Sequence, residues 1–463
     1  MGFFIYNTKA KRKEIFKPIL NGKVSLYTCG PTVYDFSHIG NFRTFIFEDL
    51  LKRWLLHLGY DVLHVMNITD VDDKTIKKSI DLKLSLEKIT DKYISEFMAD
   101  IEWLNMYPAD YFPKATDHVP DMILMISNLI KNKMAYTGED GSIYFDISSF
   151  KDYGKLANIK LKKGQKNKIR GLQDEYNSNS PQDFALWKAR KTNDGEVYWD
   201  SPWGPGRPGW HVECSAMSTK ILGNHFDIHC GGVDNIFPHH ENELAQSIGA
   251  NGEKFVNYWI HSEHLMIDGE KMSKSKINFF TLKNLQEKGF TSQAIRYQLL
   301  SGHYRTKISF SLMKKHESDK IINRITDFYI SLKKMGASEI SGNELPEAYK
   351  RFKECMNNDL DTPGAIAIFL GWMKNANKDF GSKKLESLHI RAAWNFTCIF
   401  DSIFKFIRKD LHNFDSEINV LLIKRDEARK NKDWIQSDFL REQILKHGWI
   451  VEDTKNGQKL KKK

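Results

Sequence analysis

The chain has no apolar run approaching the ~20 residues that a helix needs to cross a bilayer. Its first residues also lack the charged-then-apolar pattern of an export signal. Neither a membrane-spanning nor an exported protein is expected, and a cytoplasmic one is. Cysteine is scarce: Cys29, Cys214, Cys230, Cys355 and Cys398 are the only five in 463 residues. An odd number with no Cys-x-x-Cys pair argues against a disulfide framework, so the thiols read as reduced side chains or metal ligands. There is no internal repeat of solenoid spacing and no long low-complexity tract. An apolar content of 41% is enough for ordinary packed cores. The length is too great for one of them, so three or four domains are expected.

Positive charge is not lacking. The formal net charge is +10, and residues 421–463 carry 12 Lys and Arg against 7 Asp and Glu. About half the excess therefore sits in under a tenth of the chain. Such an end suits a polyanion, although a basic tail also serves solubility alone.

The stretch Cys29-Gly30-Pro31-Thr32-Val33-Tyr34-Asp35-Phe36-Ser37-His38-Ile39-Gly40-Asn41 organises the rest. It follows a strand-like run, Val24–Thr28, and precedes an amphipathic helix with Phe42, Phe45, Ile46, Leu50, Trp54, Leu55 and Leu58 at helical spacing. Gly59 suits that helix's C-terminal cap. A strand–loop–helix junction aims backbone N–H groups and the positive end of a helix dipole at one point, which is a site for phosphate. Asp61–Ile68 reads as the next strand, giving a β–α–β unit, a parallel sheet and a nucleotide at the carboxyl ends of its strands. No Gly-x-Gly-x-x-Gly lies at this junction, which disfavours a dinucleotide dehydrogenase. Thr69 falls at the second strand's carboxyl end, where a substrate pocket belongs. Asp72 and Asp73 read as a capped, acidic helix start rather than metal ligands.

From about 116 to 205 the α/β rhythm breaks. A helical run (Met122–Lys133), a short strand (Ser142–Asp146), a basic loop (Lys160–Arg170) and an irregular connection (Trp203–Gly209) suggest an inserted subdomain. The basic loop is a candidate RNA contact, though a run of charge is more often a solvated face. The α/β pattern then resumes with a helix around Cys214 and a strand at Phe226–Cys230. Phe237–Glu243 opens another helix with Pro238 in its first turn, and Val256–Ile260 is a further strand. Residues 312–410 read as a helical bundle, Ile423–Lys446 as a charged helix pair and Gly448–Thr454 as a small strand.

His239 and Glu243 stand four apart, on one helical face. Cys214 precedes His239 by 25 residues and Cys29 ends the first strand. Parallel strands bring such carboxyl ends together, and a Cys–Cys–His–Glu set suits Zn2+. Spacing does not choose among donors: His229, Cys230 and His240 are rivals. The plainer reading is two buried thiols and a helix-start histidine.

His38-Ile39-Gly40-Asn41 resembles the HIGH signature of class I aminoacyl-tRNA synthetases. Lys271-Met272-Ser273-Lys274-Ser275, about 230 residues downstream, matches their KMSKS loop. Asn41 replaces the final histidine but keeps an amide donor. Tyr27–Tyr34, Asn67–Lys74, Pro208–Met217, Phe237–Glu243, Lys432–Trp434 and Glu452–Thr454 extend the likeness. In this order they make the chain similar to the cysteinyl-tRNA synthetase family over essentially its full length.

The resemblance implies a zinc site of Cys29, Cys214, His239 and Glu243 that recognises the substrate thiol. It implies ATP binding by Gly30, Pro31, Thr32, His38, Gly40, Asn41, Lys271 and Lys274, with His38, Lys271 and Lys274 catalytic and Mg2+ arriving with ATP. Thr69, Trp210 and Asp234 match substrate-pocket positions. L-cysteine, ATP and tRNA(Cys) are the implied partners, and a monomer the implied state. Cys230 stands where the family usually has glycine and reads as a small buried side chain.

The fold class expected is α/β: a Rossmann-type parallel-sheet catalytic domain with an inserted subdomain, then an α-helical bundle and a small mixed C-terminal domain. The catalytic domain is expected at 1–115 and 206–265 around an insertion at 116–205, with a KMSKS-loop linker at 266–311. A tRNA-contacting bundle is expected at 312–410 and an anticodon-binding domain at 411–463. A cysteine:amino-sugar ligase would lack residues like 411–463. A non-catalytic tRNA-binding relative would have lost a motif or ligand.

Overall fold

The computed structural model describes residues 2–159, 183–271, 279–381, 387–408, 416–454 and 457–462. The basic loop Lys160–Arg170 and the motif residues Met272–Ser275 lie outside them, as does the side chain of Lys271.

The chain opens with an antiparallel hairpin of β1 (Phe4–Asn7) and β2 (Arg12–Ile15). Next come β3 (Lys23–Thr28), α1 (Ile39–His57) and β4 (Asp61–Met66), the expected β–α–β unit, with β3 and β4 parallel from Lys23–Asp61 to Thr28–Met66. Gly59 takes φ +88° just past α1, a conformation open to glycine at little cost.

The helix itself differs from expectation. It is not half-solvated: Arg43, Glu48, Asp49, Lys52 and Arg53 are buried together with its apolar face. Apolar burial stabilises by about 1.5–3 kcal/mol per large side chain, but buried ions oppose it unless paired. Most are paired. Asp49 accepts from Arg53 Nε at 2.8 Å, from the Tyr107 N–H at 2.6 Å and from Arg296 Nη2 at 2.7 Å.

After α2 (Asp73–Leu82), α3 (Leu86–Trp103) and α4 (Val119–Lys131) comes a four-stranded antiparallel sheet. Its strands are β5 (Ala135–Thr137), β6 (Ile143–Phe145), β7 (Phe184–Ala189) and β8 (Gly206–Pro208), in sequence order. Phe145 and Phe184 stack at 5.0 Å in its core. Gly204-Pro205-Gly206-Arg207-Pro208-Gly209 does have the spacing of a dinucleotide loop, but it runs along β8 of this antiparallel sheet. Gly209 is needed for space: a Cβ there would lie 2.0 Å from the Ala185 carbonyl oxygen. Asp72 caps α2 through Lys74 N and Thr75 N, and Asp73 binds Lys188 and Arg207. Neither is a lone carboxylate.

The parallel sheet resumes with α5 (Trp210–Leu222), β9 (Phe226–Gly232), the single turn α6 (Val233–Asn235), α7 (Glu241–Asn251) and β10 (Val256–Ser262). Its order is β10-β9-β3-β4, all parallel. Chain order reverses between β9 and β3, and a crevice opens at the carboxyl ends of strands at such a reversal. The Phe237–Pro238 peptide is cis and Phe237 is extended; Pro238, His239 and His240 follow with helical backbone angles and run into α7, so Pro238 opens that helix as expected.

Beyond the sheet lie β11 (Leu265–Ile267), β12 (Glu270–Lys271), α8 (Leu282–Glu287), α9 (Ser292–Leu300) and β13 (Ile308–Phe310). The helices α10 (Lys315–Lys334), α11 (Glu347–Asn357), α12 (Thr362–Gly381) and α13 (Ser387–Phe404) follow. Residues Met1–Phe406 form one compact unit and Ile407–Lys463 a second. The second consists of α14 (Ser416–Lys430), α15 (Trp434–Lys446) and the antiparallel pair β14 (Trp449–Thr454) and β15 (Gly457–Lys462), with Arg425 buried against Asp453. No helix among the described residues is long and apolar enough to cross a membrane.

Candidate active site and metal centre

At the sheet's chain reversal lies a cleft of about 530 Å3. The turns after three strands build it: Cys29–Asn41 after β3, Gly232–Asn235 after β9 and Ser262–Leu265 after β10. Trp210 and Lys74 complete the walls. The first turn must hug the next strand's end. Gly30 donates its N–H to Asn67 Oδ1 at 3.0 Å, and a Cβ on it would fall 1.8 Å from the Asn67 carbonyl oxygen.

His38 caps α1. Its Nδ1 accepts from Asn41 N at 3.2 Å, while Asn41 Oδ1 accepts from His38 N at 3.0 Å. This reciprocal box fixes the histidine at the positive end of the helix. The Asn41 carbonyl oxygen is thereby committed to the backbone, and its NH2 group keeps donor capacity.

Behind the cleft, donor atoms from Cys29, Cys214, His239 and Glu243 lie within 4.8 Å of one another. A second group, Cys29, His229, His240 and Glu243, meets the same limit. The two share Cys29 and Glu243. His229 Nε2 bonds Glu243 Oε2 at 2.9 Å, and His240, held at Nδ1 by His261 Nε2 at 2.8 Å, turns its Nε2 to Cys29 Sγ at 3.2 Å. His239 has its Nδ1 against His211 Nδ1 at 2.9 Å, so its Nε2 faces the cluster. That Nε2 lies 3.0 Å from Glu243 Oε1, yet this fully buried oxygen has no hydrogen-bond partner of good geometry. An orphaned carboxylate oxygen, an imidazole held from its far side and two thiols make a set of four donors of the types Zn2+ takes. The residues present fit the ion.

The same groups shift one another's titration. A hydrogen bond shared with Cys29 brings the Cys214 thiol down to about 6, against the opposing effect of burial, and leaves Cys29 well above its usual range. Burial pushes the Glu243 carboxyl up, but His229 and His239 outweigh it and hold it at about 2. Burial would lower His239, whereas Glu243 and Cys214 raise it to about 10. His211 and His240 are driven down by burial and stay neutral.

Gly30, Pro31, Thr32, His38, Gly40, Asn41, Trp210 and Asp234 all line the cleft, as does Cys29. Trp210 is half-exposed and stacks on His239 at 4.3 Å, flanking the donor cluster where the cleft reaches Cys29. Asp234 stands at the rim, 3.4 Å from His264 Nε2. Thr69 is not a wall residue. It is buried behind the first turn, where its N–H donates to the Pro31 carbonyl at 3.1 Å and its Oγ1 accepts from Asn67. Cys230 is fully buried in β9. Lys274 lies outside the described residues. His211 escaped the sequence reading as a site residue; its place one position after the pocket-lining Trp210 was the available signal.

The family model for the class I (C) tRNA synthetase catalytic domain matches residues 15–338. The cysteinyl-tRNA ligase anticodon-binding domain matches residues 411–459. The chain is 45% identical over 483 residues to the cysteine–tRNA ligase of Brachyspira hyodysenteriae, covering 99% of each. It is equally identical over 481 residues to that of Chlamydia trachomatis, covering all of both. Among solved structures it resembles Mycobacterium tuberculosis methionyl-tRNA synthetase bound to methionyl-adenylate, with a TM-score of 0.62 at 15% identity over 83% of this chain and 92% of that one. It also resembles a LeuRS–tRNA ternary complex from Agrobacterium radiobacter, at 0.63 and 10% identity over 86% of this chain and 85% of that one. At such identities these structures bear on fold alone.

Proposed function

The chain belongs to the cysteine–tRNA ligase family of class I aminoacyl-tRNA synthetases, and from that premise we propose how its residues carry out the reaction. L-cysteine is activated with ATP to cysteinyl-adenylate, and the cysteinyl group then passes to the 3′-terminal adenosine of tRNA(Cys). The enzyme works in the cytoplasm as a monomer.

The convergence of Cys29, Cys214, His239 and Glu243 behind Trp210 carries this reading. Cysteine and serine differ by one atom, and an ordinary pocket separates such near-isosteres poorly. Zn2+ bound by these four would hold the substrate sulfur as thiolate and discriminate against a hydroxyl. His211 and His229 orient His239 and Glu243 as ligands, and Trp210 closes the chamber on the substrate's side chain. Asp234 at the rim faces the substrate's ammonium, and Thr69 braces the turn carrying Pro31 and Thr32.

In the first step the cysteine carboxylate attacks the α-phosphorus of ATP, which arrives as its Mg2+ complex, and pyrophosphate leaves. His38, the first turn of α1 at Gly40 and Asn41, and the lysines Lys271 and Lys274 meet the charge building on the phosphate oxygens. In the second step a ribose hydroxyl of the terminal adenosine, the 2′-OH in class I relatives, attacks the activated carbonyl and AMP leaves. Residues 116–205 act as the connective insertion and 266–311 as the linker carrying the lysine loop. Residues 312–410 and 411–463 hold the tRNA, and the anticodon-domain match at 411–459 weighs against an amino-sugar ligase.

The test is cysteine-dependent ATP–pyrophosphate exchange by purified protein of known zinc content, with serine as competitor. One equivalent of zinc and cysteine-selective exchange are expected. Metal-free protein that still prefers cysteine would reject the reading. Charging of a tRNA(Cys) transcript then separates a synthetase from an amino-sugar ligase.

A further inference from the structure

The cleft wall does not stop at its rim. Tyr34, Asp35, Phe36 and Lys74 continue outward onto one face of α2 and α3, where three lysines lie over three aromatic rings. Lys74 Nζ stands 5.2 Å from the centre of the Tyr34 ring and Lys78 Nζ 5.2 Å from that of Tyr93. Lys92 Nζ is 5.3 Å from the Tyr93 centre and 5.9 Å from that of Phe36. Phe36 and Tyr93 meet edge to face at 5.3 Å, so ring contacts tie the face to the cleft.

The three ammonium groups are only weakly paired. Lys74 and Lys92 have no carboxylate partner among the described residues, and Lys78 has only Asp35, at 3.9 Å. Two nearby acids are engaged elsewhere, Asp81 with Lys77 and Asp91 with Lys114. Ammonium groups poised over ring faces are partly immobilised before any ligand arrives. Cations alternating with partly exposed rings are the two elements that bind single-stranded nucleic acid: one follows the phosphates, the other stacks on bases. ATP and cysteine do not need a surface outside the cleft. A polynucleotide whose terminal hydroxyl must reach the cleft does.

We propose that Lys74, Lys78 and Lys92, with Tyr34 and Phe36, form the entry track along which the unpaired 3′ end of tRNA reaches the cleft. This rests on the cysteine–tRNA ligase reading. The lysines neutralise backbone phosphates and the two rings take stacked bases, so binding here is strongly salt-dependent and tolerant of base identity.

Lys78 and Lys92 do not line the cleft, which makes K78A/K92A the informative variant. Its Kd for a tRNA(Cys) transcript should rise about tenfold at low salt. The slope of log Kd against log salt should fall by about 1.4, at roughly 0.7 per single-strand phosphate. K78R/K92R should restore both. With a transcript trimmed of its unpaired 3′ nucleotides, wild type and variant should bind alike. An equal loss with the trimmed transcript, or no loss with the full one, overturns the track. Cysteine-dependent ATP–pyrophosphate exchange by the wild-type protein, measured in parallel, reports on the family reading separately: if it fails, that reading falls, whereas intact exchange with unaltered tRNA binding sinks only the track.

Discussion

At the scale of single residues, the site depends on small differences in what a side chain can accept. Cys214→Ser keeps size and burial but removes the thiolate that Zn2+ prefers. Zinc measured by atomic spectroscopy should fall from one equivalent to near zero, adenylate formation should vanish with it, and circular dichroism should stay close to wild type. Retained zinc with normal activation would reject the ligand set. Gly30 makes an opposite demand, for nothing at all. With the Asn67 carbonyl oxygen 1.8 Å from where a Cβ would be, Gly30→Ala must push the turn off the end of β4. Denaturant titration should register a loss of about 3 kcal/mol, together with a raised KM for ATP as the phosphate-facing turn moves. His229→Ala removes a brace rather than a ligand. A 10–100-fold weaker zinc affinity in competition with a chelator is expected, with zinc still bound at saturation.

Elements raise a different question, because α1 is held by ions where its sequence suggested water. Asp49 joins it through Arg296 to α9, and Arg296 Nε in turn reaches the Phe404 carbonyl at the end of α13 at 2.9 Å. Removing one member of such a buried set leaves the others uncompensated, so Asp49→Asn should cost about 3–5 kcal/mol in urea unfolding. Burial raises the Asp49 carboxyl, but Arg296 and Arg53 outweigh burial and the group lies below its usual range. A depressed carboxylate contributes stability above its unfolded value, near ~3.9, and loses it as pH falls through the folded value. The wild type should therefore shed this contribution below about pH 4, and D49N should show a flatter acid limb.

The same helix marks how far the sequence could be read. Its apolar spacing announced a helix between two strands, and the strands' apolar runs announced a parallel sheet, because those patterns are local. Whether Arg43, Asp49 and Arg53 face water depends on residues 52 to 349 positions later, and no local pattern carries that. The antiparallel sheet was legible only at Ile143–Phe145. β5 and β8 are three residues each, too short for a period, and β8 runs through Gly206 and Pro208. The donor cluster was half legible: His239 and Glu243 share a helix face by spacing. Cys29 and Cys214 join them only because the chain order of the sheet reverses between β3 and β9. The imidazoles His211 and His229 that brace the donors have no spacing rule of their own.

At the scale of the molecule, Met1–Phe406 holds every wall of the cleft and every donor, while Ile407–Lys463 is compact by itself. A chain ending at residue 406 should keep cysteine-dependent pyrophosphate exchange within about twofold of the full chain. It should lose at least tenfold in kcat/KM for charging tRNA(Cys), most of it in KM. Equal losses in both assays would mean that the last unit supports the active site rather than the RNA.

The donor set also orders events during synthesis. Cys29 leaves the ribosome early, and its partner Glu243 follows more than two hundred residues later. No nascent fragment shorter than that can close the cage, so the first thiol waits, exposed to oxidants and stray copper, until α7 has emerged and docked. If the four donors hold zinc as proposed, metal capture marks the emergence of α7, before β10 completes the sheet, and starving cells of zinc should leave newly made chains, rather than old ones, as the ones trapped and degraded.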